Sequence, residues 1–369
     1  MKFSASYATW SRGVSAVQGA VGSTLSNPIL ENIFIECHEN QVSFMATNLS
    51  VTIRCLGEAQ VEAPGSIVLP ARVLAPLVQS LPNADVHFEE ENANVKINCA
   101  RFDGTLKGQD ASLFPPFNAV EEGISYSLPA DTLKSVIRKT LIATTNDNPR
   151  YELDGVKFDL VDGKLTCVST DGRRLSVIHL DEDNFPNESL SLLVPTKALQ
   201  VIQSALPDEG DVTIRGQERR VQFECGDTVV VSNLLVDKFP QYDRILPPPG
   251  EIKAKFSRSE LLSAIRRAAN LASQDTGMLM FRLKPGQLEV SGEREEVGGS
   301  GVDQIDAEYE GEPLEVRYNH KFITEALRVI EEDEVIWELF DTRKPGTFYG
   351  LGNDRYRYVI MPMRPPDNE

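Results

Sequence analysis

The side chains best suited to covalent or metal chemistry are few and scattered. Four histidines (His38, His87, His179, His320) stand far apart, and three of them lie in strand-like runs, as surface or structural histidines do. Five cysteines (Cys37, Cys55, Cys99, Cys167, Cys225) form no CxxC pair and read as buried free thiols in a reducing compartment. The acidic clusters Glu89–Glu91 and Glu331–Asp333 fall at a hairpin tip and a helix end, where carboxylates are solvated. The charged, glycine-rich run 292–301 is followed by no helix start that would make it a phosphate cradle. GxxxxGK(S/T), GxGxxG after a strand, HExxH and GxSxG are all missing from the sequence. No catalytic residue, metal site or cofactor is therefore expected.

The chemistry that remains is that of fixed charge. The chain is acidic, with a net charge of −18, which by itself argues against a nucleic-acid partner. The average hides a segregation. Six segments read as major helices: 7–22, 71–81, 131–145, 196–206, 257–273 and 320–330. Each is net positive, and together they carry +8, which leaves −26 on the rest of the chain.

The elements that carry these cations repeat. Residues 1–21, 125–145 and 254–273 each read as a short strand, a cap and an amphipathic helix with basic residues off the apolar face. In the last of them Ser257 or Ser259 is the N-cap. Leu261, Leu262, Ile265, Ala268, Ala269 and Ala272 form the apolar stripe, with Arg266 and Arg267 off it. Trp10, Leu133 and Leu261 align, 123 and 128 residues apart. Asn40, Gly163 and Gly286, each 123 from the next, occupy the turn before an alternating strand. A second helix follows in each third, with Arg72, Lys197 and Lys321 in register. A repeat of that length is the size of a domain.

Two helices per third cannot supply parallel crossovers for so many short strands. The expected fold is thus α+β, three tandem pseudo-repeated domains with two helices each on antiparallel sheets. The runs 113–123 and 238–251, the latter with Pro247–Pro249, mark boundaries and place the domains at 1–123, 124–249 and 250–369. No signal peptide and no membrane span is read in the sequence, so a cytoplasmic location is expected.

Three strings in order give this plan a specific likeness: Thr170–Leu175 (TDGRRL), Lys238–Tyr242 (KFPQY) and Tyr358–Arg364 (YVIMPMR). With MKF at the start and Asn27–Leu30, the chain resembles the bacterial DNA polymerase III beta subunit, the sliding clamp, over essentially its whole length. The resemblance implies a DNA clamp fold, a head-to-tail homodimeric ring with twelve helices inside, and no enzymatic activity. Twelve helices of roughly 10 Å diameter side by side leave an opening of roughly 25–30 Å, wide enough for a duplex. Arg12, Arg72, Lys134, Arg138, Lys139, Arg150, Tyr151, Lys197, Arg266 and Arg267 are the residues it assigns to double-stranded DNA. The contact would be independent of sequence, because no base reader is evident.

The same resemblance implies a groove between the second and third domains. It would capture linear peptides of the replicative polymerase, clamp loader and repair proteins. Its residues would be Leu153, Thr170, Gly172, Arg173, Arg174, Leu175, Pro240, Arg244, Ile245, Asn319, Phe322, Val359, Met361, Pro362, Met363 and Arg364. Methionines adapt to varied apolar anchors, and arginines would hold the peptide's polar groups. Arg173 and Phe322 depart from the histidine and tyrosine frequent in the family, and 274–280 and 365–369 depart in length. Phe102, Leu106 and Leu271 are implied at the dimer contact. The rival expectations are a monomeric three-domain scaffold indifferent to DNA, and an enzyme of unrecognised type.

Overall fold

A computed structural model describes residues 1–23, 27–145, 153–182, 185–236, 239–273, 275–294 and 298–364. Among them are six α-helices: α1 (Tyr7–Val17), α2 (Ala71–Ser80), α3 (Ala130–Leu141), α4 (Thr196–Ala205), α5 (Arg258–Ala269) and α6 (His320–Val329). Side-chain caps set several of the starts. Ser6 Oγ accepts from the Thr9 amide at 3.1 Å, and Asn319 Oδ1 from the Lys321 amide at 2.9 Å. Of the two serines offered for α5, Ser257 is the cap. Helices α1, α3 and α5 stop four or five residues short of the span expected from periodicity. After α1 the chain tightens into a 3-10 turn at Gln18–Ala20, and after α5 the Asn270 amide closes the last turn on Ala268 and Arg267.

The strands pair antiparallel throughout. The chain divides into two compact units, residues 1–134 with 184–236, and 135–183 with 237–369. In the first unit one sheet runs in the order Gln60–Ala63, Lys2–Ala5, Val86–Glu91, Asn94–Cys99, Phe102–Lys107. A second sheet of eight strands joins the first third of the sequence to the second. Its seam is Val51–Glu58 against Thr228–Asn233, with Cys55 opposite Thr228 and Val51 opposite Ser232.

The second unit repeats that seam one repeat length on. Arg174–Asp181 pairs with Tyr356–Ile360, Arg174 opposite Ile360 and Ile178 opposite Tyr356. This unit's other sheet has the order Gly299–Asp306, Gln287–Arg294, Met278–Lys284, Leu314–Asn319. The units therefore do not follow the sequence repeat, because pairing carries a sheet past each linker and divides the middle third between them.

Each unit has an aromatic core. Phe3, Trp10 and Phe88 stack in the first with ring centroids 5.0–5.7 Å apart, and Phe44 meets Trp10 edge-on at 5.2 Å. A Cβ on Gly13 of α1 would lie 2.2 Å from the Phe44 ring, so only glycine lets the helix approach that closely. In the second unit Trp337 stacks on Phe348 at 5.7 Å and meets Phe281 and Tyr318 edge-on. All five cysteines are buried and free. Among the described residues no helix is long and apolar enough to cross a membrane.

Candidate partner groove and nucleic-acid interface

The turn 170–174 is built by its own side chains. Thr170 Oγ1 accepts from the Gly172 amide at 3.1 Å and donates to the Arg174 carbonyl at 2.6 Å. Asp171 Oδ1 accepts from the Arg173 and Arg174 amides, both at 2.9 Å. Gly172 sits at φ +86° with open space where a Cβ would be, so it serves the turn's left-handed conformation.

Arg174 points inward from this turn. Its side chain is 10% exposed and its Nε donates to Asp171 Oδ2 at 2.9 Å. Its Nη1 donates to the Tyr358 hydroxyl at 3.1 Å and to Glu325 of α6, and its guanidinium lies over the Phe322 ring at 4.2 Å. Burial disfavours the arginine's charge, but Tyr358 and Glu325 outweigh it and raise its pKa. Arg174, expected to hold a peptide, is thus engaged inside the protein as a brace between the turn, α6 and the last strand. Arg173 beside it is exposed.

The other expected groove residues fall into layers. Leu153, Thr170, Leu175 and Val359 are buried. Leu175 and Val359 are paired across strands and pack with Val168, Val177 and Tyr242. Burial first, then Asp159, pushes the Tyr242 hydroxyl up to about 12. Pro240, Asn319, Phe322, Pro362 and Met363 are half-buried, while Gly172, Arg173, Arg244, Ile245, Met361 and Arg364 are exposed. The Met361 amide donates to the Arg173 carbonyl at 2.9 Å, which holds Met361 beside the turn, and the Met363 amide donates to the Arg317 carbonyl of the strand Leu314–Asn319 at 2.8 Å. Asn319 instead caps α6 and donates to the Thr276 carbonyl at 3.2 Å. The sequence did not point to Asp171, Arg317, Glu325 and Tyr358 as the polar frame.

The helix cations divide in a way charge counting does not foresee. Arg12, Arg72, Arg138, Lys197, Arg266 and Arg267 are exposed and Lys134 is half-buried. Lys139 differs from the expectation. It is 8% exposed, reaches Glu331 at 3.4 Å and lies over the Tyr356 ring at 5.7 Å, because it falls on the inner side of the α3 stripe. Arg150 and Tyr151 lie outside the described residues. Phe102 and Leu106 sit on Phe102–Lys107, an edge strand of the first unit, with Phe102 36% exposed. Leu271 is half-buried against Gly301 of Gly299–Asp306, an edge strand of the second unit.

The three sequence repeats, with net-positive helices on antiparallel sheets, give the chain the fold of a DNA sliding clamp. Family models agree, matching the N-terminal, central and C-terminal domains of the DNA polymerase III beta subunit at residues 1–118, 127–241 and 243–364. The chain belongs to the DNA polymerase III beta subunit family. It is 30% identical to the beta sliding clamp of Pseudomonas putida over 94% of this chain and 95% of that one. It is 28% identical to that of Chlamydia pneumoniae over the full length of both. The crystal structure of the DNA polymerase III subunit beta from Pseudomonas aeruginosa matches with a TM-score of 0.93 at 27% identity, covering 99% of this chain and all of the other. The sliding clamp of Bacillus subtilis matches at 0.92 and 28%, with the same coverage.

Proposed function

We propose that two copies of this chain close head to tail into a ring that encircles duplex DNA without sequence preference. The ring would tether the replicative polymerase, clamp loader and repair proteins by their linear peptides. The observation that carries this is the charge segregation: all six helices are net positive in a chain of net charge −18. Phosphates are attracted by any such surface whatever the bases, and sliding demands that no base be preferred.

Three domains, 1–123, 124–249 and 250–369, would each offer two helices, so a closed ring of twelve requires two chains. The edge strand with Phe102 and Leu106, and the region of Leu271, would form the contact between chains; unpaired strand edges favour such addition. Exposed Arg173, Arg244, Ile245, Met361 and Arg364, with half-buried Met363 and Phe322, would line the peptide groove. The groove residues belong to one compact unit, which supports the groove as preformed. Sedimentation tests the assembly: a species of twice 40.9 kDa at micromolar concentration is expected, and a monomer there refutes the ring.

A further inference from the structure

Five of the eight described basic residues assigned to phosphate already have a carboxylate partner brought from elsewhere in the same unit. Arg12 reaches Asp227 at 3.0 Å, in the turn between the strands Arg220–Cys225 and Thr228–Asn233. Lys134 holds Asp208 at 2.6 Å, just past the end of α4. Arg267 pairs with Asp303 of the edge strand, and Arg138 and Lys139 share Glu331 after α6. None is a neighbour on its own helix; separations range from 36 to 193 residues among the pairs with Asp303, Asp208 and Glu331. By contrast, among the described residues no carboxylate lies within ion-pair distance of Arg72, Lys197 or Arg266.

Ion pairs with a solvent-exposed member, such as Arg12–Asp227, Lys134–Asp208 and Arg267–Asp303, contribute little to folding stability, so fold maintenance does not account for Asp208, Asp227 and Asp303. Hydrogen bonding to Lys134 lowers the Asp208 pKa, and bonding to Arg267 lowers that of Asp303, so these two carboxylates are ionised at neutral pH. A cation so paired sheds fewer mobile counter-ions when a phosphate arrives, and counter-ion release is the main source of affinity for the duplex backbone.

We infer that Asp208, Asp227 and Asp303 attenuate the grip on DNA, each serving as an internal counter-ion that a passing phosphate must displace. Arg72, Lys197 and Arg266 supply the unattenuated attraction. A ring held by topology gains nothing from tight phosphate contacts, and every contact broken per step slows its movement. The inference rests on the DNA-facing assignment proposed above.

The test uses the full chain with the isosteric substitutions Asp208→Asn, Asp227→Asn and Asp303→Asn combined. Glu331 is left alone because it also partners buried Lys139. A second variant carries Arg72→Ala, Lys197→Ala and Arg266→Ala. Binding to a labelled duplex is followed by anisotropy across a salt series, with the melting temperature as the check on folding. If the triple asparagine variant does not fold, Asp208→Asn alone carries the test, since that side chain is 91% exposed.

The asparagine variant should bind about 1.5- to 5-fold more tightly per substitution. Its log affinity should fall more steeply with log salt, by up to about 0.9 per cation released. The alanine variant should bind more weakly. If the alanine changes weaken binding while the asparagine changes leave affinity and slope untouched, attenuation is overturned and the DNA-facing assignment stands. If neither variant differs from wild type, both are overturned.

Discussion

Replacing Arg174 by methionine separates a brace from a peptide contact. Methionine keeps much of the apolar stem that lies on Phe322 and removes the charge. Breaking a buried ion pair by deleting one partner costs about 3–5 kcal/mol. Two features of the site reduce this. Asp171 retains its bonds to the Arg173 and Arg174 amides, and Glu325 is 38% exposed and can be solvated. A loss of about 2–4 kcal/mol remains, or roughly 4–16 °C in Tm for a unit of this size. Thermal melting of Arg174→Met, beside anisotropy of a labelled polymerase-derived peptide, reads both quantities. A variant that melts with wild type yet loses peptide affinity would refute the brace and return Arg174 to the peptide.

Other substitutions probe the groove, the chain contact and the acid limb of stability. Met363→Ala should lower peptide affinity about 5- to 150-fold, the loss of roughly 1–3 kcal/mol of apolar wall, with Tm nearly unchanged because no closed cavity forms. A core methionine would give the reverse. Phe102→Asp with Leu271→Asp should yield folded monomers by sedimentation, since unpaired buried charge disfavours an interface; a dimer at micromolar concentration would exclude this contact. Burial lowers the pKa of His179 and of His320 from 6.5, so the folded chain binds fewer protons than the unfolded one below that pH. Their contribution is complete above about pH 6.5 and is lost as pH falls through the lowered folded values. His179→Gln should therefore flatten the decline in Tm between about pH 7 and pH 5, and an unchanged profile would contradict this.

The repeat was legible because it rests on local pattern. Alternating strands, helix stripes and turn glycines recur at fixed offsets, and the antiparallel α+β plan follows from them. The paired seams at Val51–Glu58 and Arg174–Asp181 are one such offset apart. Helix ends were less legible, because Asn270 and the 3-10 turn after Val17 stop helices whose apolar spacing continues. The roles of individual charges were least legible. Lys139 and Arg138 are neighbours in sequence and alike in type, yet one is buried over Tyr356 and the other exposed. Arg173 and Arg174 differ in the same way, and Glu325, 151 residues from Arg174, decides it. Partners so distant leave no signature in either local segment.

Topology tests the central claim most directly. The protein is loaded on nicked circular DNA, freed of unbound chain by gel filtration, and followed after a single cut linearises the circle. A ring on a duplex is held by its own closure, because an acidic chain with a few screened phosphate contacts has little hold at physiological salt. The account predicts long retention on the circle and rapid loss from the linear form. Equal, salt-sensitive retention on both forms would contradict it.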